Sequence, residues 1–401
     1  MKVVVQKYGG KSVETIEKMQ NIADNVIQKK EEGYNVVVVV SAMGKTTNQL
    51  IEMAKTISEH PCKRELDMLM ATGEQVSSSL LSMILKEKGY DAVSLTGFQA
   101  GIKTKGVHTK NKIVKIDIDN VKKHLEEDKI VVVAGFQGIN ELGEITTLGR
   151  GGSDTTAVAL AAKLQCACEI YTNVEGIYSV DPRFFPNAKK LDYISYGEMM
   201  EMASLGANVM ETRSVEIGHN YNVPIYVASS YQNTKGTYIK EFDKNMEQKS
   251  ITGLSVNDDI LMVTINNVPY SPKNISDIFS KLASQEVNID MISQTSPNKG
   301  YVNISFTTSK ENASIVNNIM NELKKEICSM EIQNNTDLTK ISVVGMGMRN
   351  EPGVASKVFK LFAENNINFK QVTTSEISIS YTIYASDRQK AINVLCKAFD
   401  L

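Results

Sequence analysis

Short apolar runs recur along the first 230 residues or so, and each is followed by glycine or small polar residues. Val3–Val5, Val36–Val40, Ala92–Leu95, Ile130–Ala134, Glu169–Tyr171 and Ile225–Val227 read as strands, with Ile225–Val227 the last of the series. Val36–Val40 is unbroken and β-branched, which marks a strand buried on both faces. Helical periods fall between these runs, at about Val13–Glu32, Thr47–Ser58, Glu65–Lys88 and from Gly152 to about Leu164. Gly33 ends the first of them, and Ser153 stands as the N-cap of the last. Buried strands alternating with helices predict an α/β unit with a mainly parallel sheet sandwiched by helices. Ligands of such sheets sit beyond the C-terminal ends of the strands.

The pattern changes near residues 240–250. Glu241–Lys249 is polar and charged and reads as a linker. Beyond it the chain repeats at an offset of 80: Val263 with Val343, Pro272 with Pro352, Ile278 with Val358, Phe279 with Phe359 and Ala283 with Ala363. Val287-Asn288-Ile289 and Ile292-Ser293 find their counterparts in Ile367-Asn368-Phe369 and Val372-Thr373. Each copy reads strand, Pro-initiated helix, strand, strand, helix, the order of a ferredoxin-like α+β module. The second copy stops at Leu401 without a final strand, while Ile251–Val256 is a spare strand ahead of the first. The expected domains are therefore 1–245, 258–335 and 336–401, with strand 250–257 completing the third and interleaving the two copies.

Composition narrows the function classes. Of 401 residues, 42% are hydrophobic and 22% charged, a balance that excludes intrinsic disorder. The formal charge is −2 and basic residues are spread along the chain, so nucleic acid and anionic membranes are not expected partners. The apolar runs are strand-sized, too short to span a bilayer, and the first residues lack a signal-peptide core. Cys62, Cys166, Cys168, Cys328 and Cys396 show no zinc spacing, which fits reduced thiols in a cytoplasmic protein. His60, His108, His124 and His219 show no spacing of a metal site or triad and are expected at the surface. No metal-ligating residue is expected.

Four segments after strands carry candidate chemistry. In Lys7-Tyr8-Gly9-Gly10-Lys11-Ser12, glycines let backbone N–H groups approach phosphate oxygens and lysine adds charge. Alone, this run reads as well as a tight strand-to-helix turn. Ser41-Ala42-Met43-Gly44-Lys45-Thr46-Thr47 suits a ligand meeting backbone, and equally an ordinary turn. Gly149-Arg150-Gly151-Gly152-Ser153-Asp154 places an arginine and an aspartate at a helix start. Arginine can grip a carboxylate through two hydrogen bonds, and Asp154 can meet an ammonium, so the pair suits an amino acid zwitterion. Thr172-Asn173 through Tyr178 to Asp181-Pro182-Arg183 is a long loop that could cover a nucleotide.

These segments, in this order, resemble the aspartate kinases of the amino acid kinase superfamily. Lys7–Ser12, Ser41–Gly44, Thr72-Gly73-Glu74, Gly149–Asp154 and Asp181–Arg183 match the family's motifs, and the repeat looks like two tandem ACT modules. The resemblance implies ATP-dependent phosphorylation of the β-carboxylate of L-aspartate to 4-phospho-L-aspartate. That is the first step toward lysine, diaminopimelate, threonine and methionine. It assigns catalytic roles to Lys7 and Asp154. It assigns aspartate binding to Ser41, Thr47, Glu74, Arg150, Gly151, Gly152 and Ser153. ATP falls to Lys7, Gly9, Gly10, Ser41, Thr172, Asn173, Tyr178, Asp181, Arg183 and Asn208, with Mg²⁺ held mainly by phosphates and water. An amino-acid effector is expected near Asn288, Gln294, Val354, Asn368, Ser375 and Glu376, at the interface of a homodimer or dimer of dimers. Lysine is the first expectation for it, with threonine and diaminopimelate as alternatives.

Three positions depart from the pattern. Lys11 replaces Thr or Ser, Asn173 replaces Asp, and Asn208 replaces a phosphate-binding Lys that Lys11 is expected to offset in part. In the first ACT copy, Tyr270-Ser271-Pro272-Lys273 stands where an Asp-x-Pro-Gly is frequent, which leaves the effector's identity open. Competing readings are another amino acid kinase, acting on N-acetylglutamate, glutamate or a nucleoside monophosphate, and a non-catalytic ACT-bearing regulator.

Overall fold

The computed structural model describes residues 2–207, 209–232, 234–241, 249–349 and 351–401. They form two compact units. The first comprises Met1–Tyr178, Lys190–Ser204 and Asn208–Met246, and the second Ser179–Lys189, Leu205–Ala207 and Glu247–Leu401.

In chain order the first unit contains β1 (Val3–Tyr8), α1 (Ile16–Glu31), β2 (Asn35–Val40), α2 (Thr46–Ile57), α3 (Lys63–Met70), α4 (Thr72–Glu87), β3 (Ala92–Leu95), β4 (Ile102–Lys105) and β5 (Lys112–Ile116). It continues with α5 (Asp119–Glu126), β6 (Ile130–Ala134), β7 (Gln137–Ile139), β8 (Ile145–Thr147), α6 (Gly152–Leu164), β9 (Ala167–Thr172), β10 (Tyr193–Ile194), α7 (Tyr196–Ser204), α8 (Thr212–Asn220), β11 (Ile225–Ser229) and β12 (Thr237–Ile239).

Among the described residues, eight strands form the main sheet in the order β10-β12-β11-β9-β1-β2-β6-β3. From β11 to β3 every pairing is parallel. The unbroken valine run makes β2 central: Val36 to Val40 are all fully buried. Val36, Val38 and Val40 face α1 and α4, packing with Met19, Ile22, Leu81 and Leu85. The intervening valines face the layer that holds α6, where Val39 lies beside Gly135 and Ser153. Each such valine contributes roughly 1.5–3 kcal/mol of burial, so the alternation fixes β2 between two helical layers. This is the sandwiched parallel sheet expected from the sequence.

Details differ from the sequence reading. Ile225–Val227 is not the last strand, because β12 returns antiparallel to β11 and carries β10 at the sheet edge. A second, small sheet, β5-β4-β7-β8, went unread, its strands being short and half polar. The helix expected over Glu65–Lys88 is two helices, broken at Ala71. Just past the break, Gly73 passes so close to Ala42 that an added Cβ would stand 2.8 Å from the alanine Cβ. The N-cap of α6 is Gly151 in the left-handed region (φ 64°), not Ser153, which lies inside the helix. Gly33 does follow the end of α1, with φ 86°.

The second unit contains β13 (Gly253–Asn257), β14 (Leu261–Pro269), α9 (Pro272–Ser284), β15 (Ile292–Gln294), β16 (Tyr301–Thr308), α10 (Ala313–Glu326), β17 (Glu331–Asn335), β18 (Leu338–Val344), α11 (Val354–Glu364), β19 (Phe369–Thr374), β20 (Ser378–Tyr384) and α12 (Arg388–Phe399). Its two four-stranded antiparallel sheets run β15-β16-β14-β17 and β13-β18-β20-β19. β13 pairs with β18 from Gly253 opposite Val344 to Asn257 opposite Lys340, the place β17 takes beside β14 in the other sheet. Proline opens α9 at its first turn, but α11 starts at Val354 behind Gly353, two residues after Pro352. Residues 242–248 of the expected linker lie outside the described residues.

Candidate active site

Parallel strands deliver their C-terminal loops to one edge of the sheet, and the candidate residues collect there. Lys7, near the end of β1, is only 8% exposed. Its Nζ lies 2.6 Å from Oδ1 of Asp154 in the first turn of α6. An added Cβ on Gly9 would lie 3.4 Å from that ammonium, so glycine keeps the backbone beside it bare. The loops are tied to one another by their own backbones. Gly9 N–H donates to Tyr171 O (3.3 Å), Ser41 N–H to Tyr8 O (3.1 Å) and Gly44 N–H to Gly10 O (2.9 Å). Any side chain on Gly10 would meet Ala42 O at 2.9 Å. The result is a lysine and bare backbone in one place, which suits an anion.

Glu74 enters from the first turn of α4, through the close approach of Gly73 to Ala42. It is 3% exposed. Ala42 N–H donates to its Oε1 at 3.1 Å, while Oε2 is buried without a hydrogen-bond partner. Burial pushes the carboxyl up to about 8, against the opposing pull of the Ala42 N–H. A buried carboxylate with one vacant oxygen is a ready partner for a cation brought by a ligand.

Arg150 stands between Gly149 (φ 79°) and Gly151 (φ 64°), and its side chain is exposed. Gly151 is needed for space as well as for φ: a Cβ there would lie 2.4 Å from the Cβ of Glu211. Glu211 heads α8 and is half-buried. Burial raises its carboxyl, and Arg150 and Arg213 oppose the rise. Arg213 donates from Nη1 to Leu148 O (2.8 Å) and from Nη2 to Asn111 O (3.1 Å). Sequence reading missed Glu211 and Arg213, because it read no helical period over the residues of α8, at whose head they stand.

The remaining assignments separate. Ser41, Thr47, Gly152 and Ser153 lie in these loops or their helix starts, Thr47 half-buried in α2. Thr172 Oγ1, on the last residue of β9, donates to Asn173 Oδ1 at 3.2 Å, and Tyr178 Oη donates to Glu175 at 3.2 Å. Asp181 and Arg183 belong to the stretch that clusters with the second unit. They pair with each other (Nε to Oδ2 2.9 Å), and that bonding holds the Asp181 carboxyl below its usual range. Asn208 lies outside the described residues. Lys11 is exposed, its carbonyl accepting from Tyr231 Oη at 2.6 Å. Of the effector candidates, Asn288, Gln294, Asn368, Ser375 and Glu376 are exposed, whereas Val354 is buried at the start of α11. The expectation of surface histidines fails for His108, which is half-buried with Nδ1 2.7 Å from the fully buried Asp67, and for His124, which is half-buried on α5 with Nδ1 3.5 Å from Glu127.

Among the described residues, no group of three His, Cys, Asp or Glu side chains is arranged to hold a metal, and no helix is long and apolar enough to cross a membrane.

Residues 2–229 match the model of the amino acid kinase family, and residues 341–399 that of the ACT domain. The chain is 48% identical over 403 residues to the aspartokinase of Bacillus sp. (strain MGA3), covering all of this chain and 98% of that one. It is 49% identical over 403 residues to aspartokinase 2 of Bacillus subtilis (strain 168), with the same coverage. The structure of E. coli aspartokinase III in complex with aspartate and ADP superposes with a TM-score of 0.80, covering both chains fully at 22% identity, a likeness of fold.

Proposed function

The chain belongs to the aspartokinases of the amino acid kinase family, and from that premise we propose how its residues transfer the γ-phosphoryl group of ATP to the β-carboxylate of L-aspartate. The acceptor carboxylate is ionised near neutral pH, its reference pKa being ~3.9, so the reaction needs no general base. The protein's task is to bring two anions together and offset their repulsion. The observation that carries the reading is the Lys7–Asp154 pair at 2.6 Å, set among bare glycine backbone at the C-terminal edge of the parallel strands.

Lys7 neutralises the transferring phosphoryl group, with the side-chain-free Gly9 and Gly10 leaving room for its oxygens and Ser41 beside them. Asp154 holds the Lys7 ammonium in place and faces the aspartate ammonium. Arg150 grips an aspartate carboxylate, and Glu74, with its vacant oxygen, meets the substrate's ammonium. Thr47, Gly151, Gly152 and Ser153 complete the aspartate pocket. Thr172, Asn173, Tyr178, Asp181, Arg183 and Asn208 serve the nucleotide. Mg²⁺ fits this donor set as an ion carried by phosphate oxygens and water, because Asp154 is already held by Lys7; it supplies further charge neutralisation. Residues 1–245 form the kinase domain, and 258–335 and 336–401 the two ACT modules, the latter completed by strand 250–257. The ACT modules bind an amino-acid inhibitor, lysine first, in a cytoplasmic homodimer or dimer of dimers that opens the route to lysine, diaminopimelate, threonine and methionine.

A hydroxamate assay with L-aspartate, ATP and Mg²⁺ tests the reading. We expect product with the native chain and a loss of at least about 100-fold in kcat for Lys7→Met. No product with aspartate, or full activity in Lys7→Met, overturns it. Repeating the assay with lysine, threonine and diaminopimelate identifies the inhibitor.

A further inference from the structure

Residues 107–111 form a surface segment whose polar groups are spent on the strand that leads into Arg150. Thr109 is β-branched yet sits at φ 73°, a left-handed conformation that persists only when its surroundings enforce it. Asp67 of α3 is the enforcing group. It is 0% exposed and accepts from Thr109 N–H at 3.0 and 3.1 Å. The same carboxylate accepts from His108 Nδ1 at 2.7 Å and from the hydroxyl of Thr147, the last residue of β8.

The segment is tied a second time from the other side. Asn111 N–H donates to Thr147 O at 3.0 Å. Arg213 bridges Asn111 O and Leu148 O with the two arms of its guanidinium. Gly149 rests on the segment as well: a Cβ there would lie 3.1 Å from Thr109 O. Thr147, Leu148 and Gly149 are the three residues before Arg150, and each is held by this splint. After Arg150, Gly152 N–H closes the turn on Gly149 O at 3.1 Å. The backbone of Arg150 is thus clamped on both sides, while its own side chain stays exposed.

We propose that Arg213 and Asp67, acting through residues 107–111, are positioning residues that aim Arg150 at the carboxylate of the amino acid substrate. The proposal rests on the reading of Arg150 as the aspartate grip. A guanidinium binds a carboxylate through a planar fork, so a small tilt of its base costs both hydrogen bonds at once. Nothing in the splint touches the phosphoryl-transfer residues Lys7 or Gly9 in the hydrogen bonds of the described residues.

Three variants of the full chain test this by steady-state kinetics, with the thermal transition as a check on folding. Arg213→Lys keeps the charge and loses the fork; Thr147→Val is isosteric and loses the hydroxyl. Both should raise the KM for L-aspartate by about tenfold while the KM for ATP stays within about twofold. Thr147→Ser restores the hydroxyl and should bring the aspartate KM back to within about twofold of the native value. Unchanged aspartate KM in both Arg213→Lys and Thr147→Val, or equal losses toward aspartate and ATP, overturns the splint. Arg150→Gln separates the two readings: if it leaves the aspartate KM unchanged, the assignment of Arg150 falls and the splint falls with it. If it raises that KM while the splint variants do not, only the splint is wrong.

Discussion

Glu74 is where one residue's environment sets the behaviour of the site. Its carboxyl is raised by burial to about 8 from an ordinary 4.5. Between those values the folded chain holds a proton that the unfolded chain has released. The stability this contributes is complete below the unfolded value and is lost as pH rises through the folded one. We expect the thermal midpoint of the ligand-free protein to fall between about pH 5 and pH 8, and Glu74→Gln to flatten that slope. Substrate binding runs the other way. An ammonium brought beside Oε2 favours the ionised carboxylate, so binding must expel the proton below about pH 8. The aspartate KM should therefore fall as pH rises toward that value. In Glu74→Gln it should be higher and nearly independent of pH. An aspartate KM that rises over the same range would show that Glu74 does not carry charge to the substrate. Thr72-Gly73-Glu74 was visible as a motif, but this burial was not, because it arises from Gly73 passing under Ala42, a contact between distant parts of the chain.

At the scale of elements, β13 is the most informative piece. It precedes the first ACT-like copy in the chain, yet it pairs with β18, and Leu254 packs with Ile341, Val343 and Tyr381. Leu254→Ala should cost about 2–4 kcal/mol, as buried leucine truncations do. Hydrogen exchange should accelerate in β18 and β20, while β14 and β16 keep their protection. Loosening of β14 and β16 instead would mean that β13 supports the first copy. This element was legible in the sequence for a simple reason: two copies at an offset of 80 make a missing strand countable. The parallel strands were legible too, since unbroken valine runs are buried on both faces. The sheet β5-β4-β7-β8 was not, because three- to five-residue strands such as Lys112–Ile116 carry too little periodicity to separate from loop. Loop motifs located Lys7, Glu74, Arg150 and Asp154, each marked by adjacent glycine or by family order. Arg213 and Asp67 carry no such mark, because what they do depends on carbonyls and a hydroxyl 65 to 102 positions away.

At the scale of the whole second unit, the question is what aligns its two modules. The face of the β18–β20 sheet opposite its apolar core is polar and buried: Ser255, Lys340, Ser342, Gln371, Ser380 and Thr382 are all at most 5% exposed. Lys340 is the costly member, 1% exposed, and it is paired with Asp290. Asp290 belongs to the first copy, where its N–H donates to Thr307 O at 2.9 Å. The ion pair therefore joins one module to the other. A seam of serines and threonines specifies no single alignment, whereas a buried lysine tolerates only the register that brings it a carboxylate. Asp290 stands two residues from Asn288, an effector candidate, so a ligand there would bear on the same register. Asp290→Asn should destabilise the unit by about 2 kcal/mol, less than the 3–5 kcal/mol of a fully buried pair because Asp290 is itself 41% exposed. Adding Lys340→Met removes the stranded charge and should recover most of that loss, since an apolar side chain suits a site sealed from water. Denaturant midpoints of the two single variants and the double variant measure the coupling. Losses that simply add would show that the lysine finds its compensation elsewhere along the seam, and that Asp290 does not set the register.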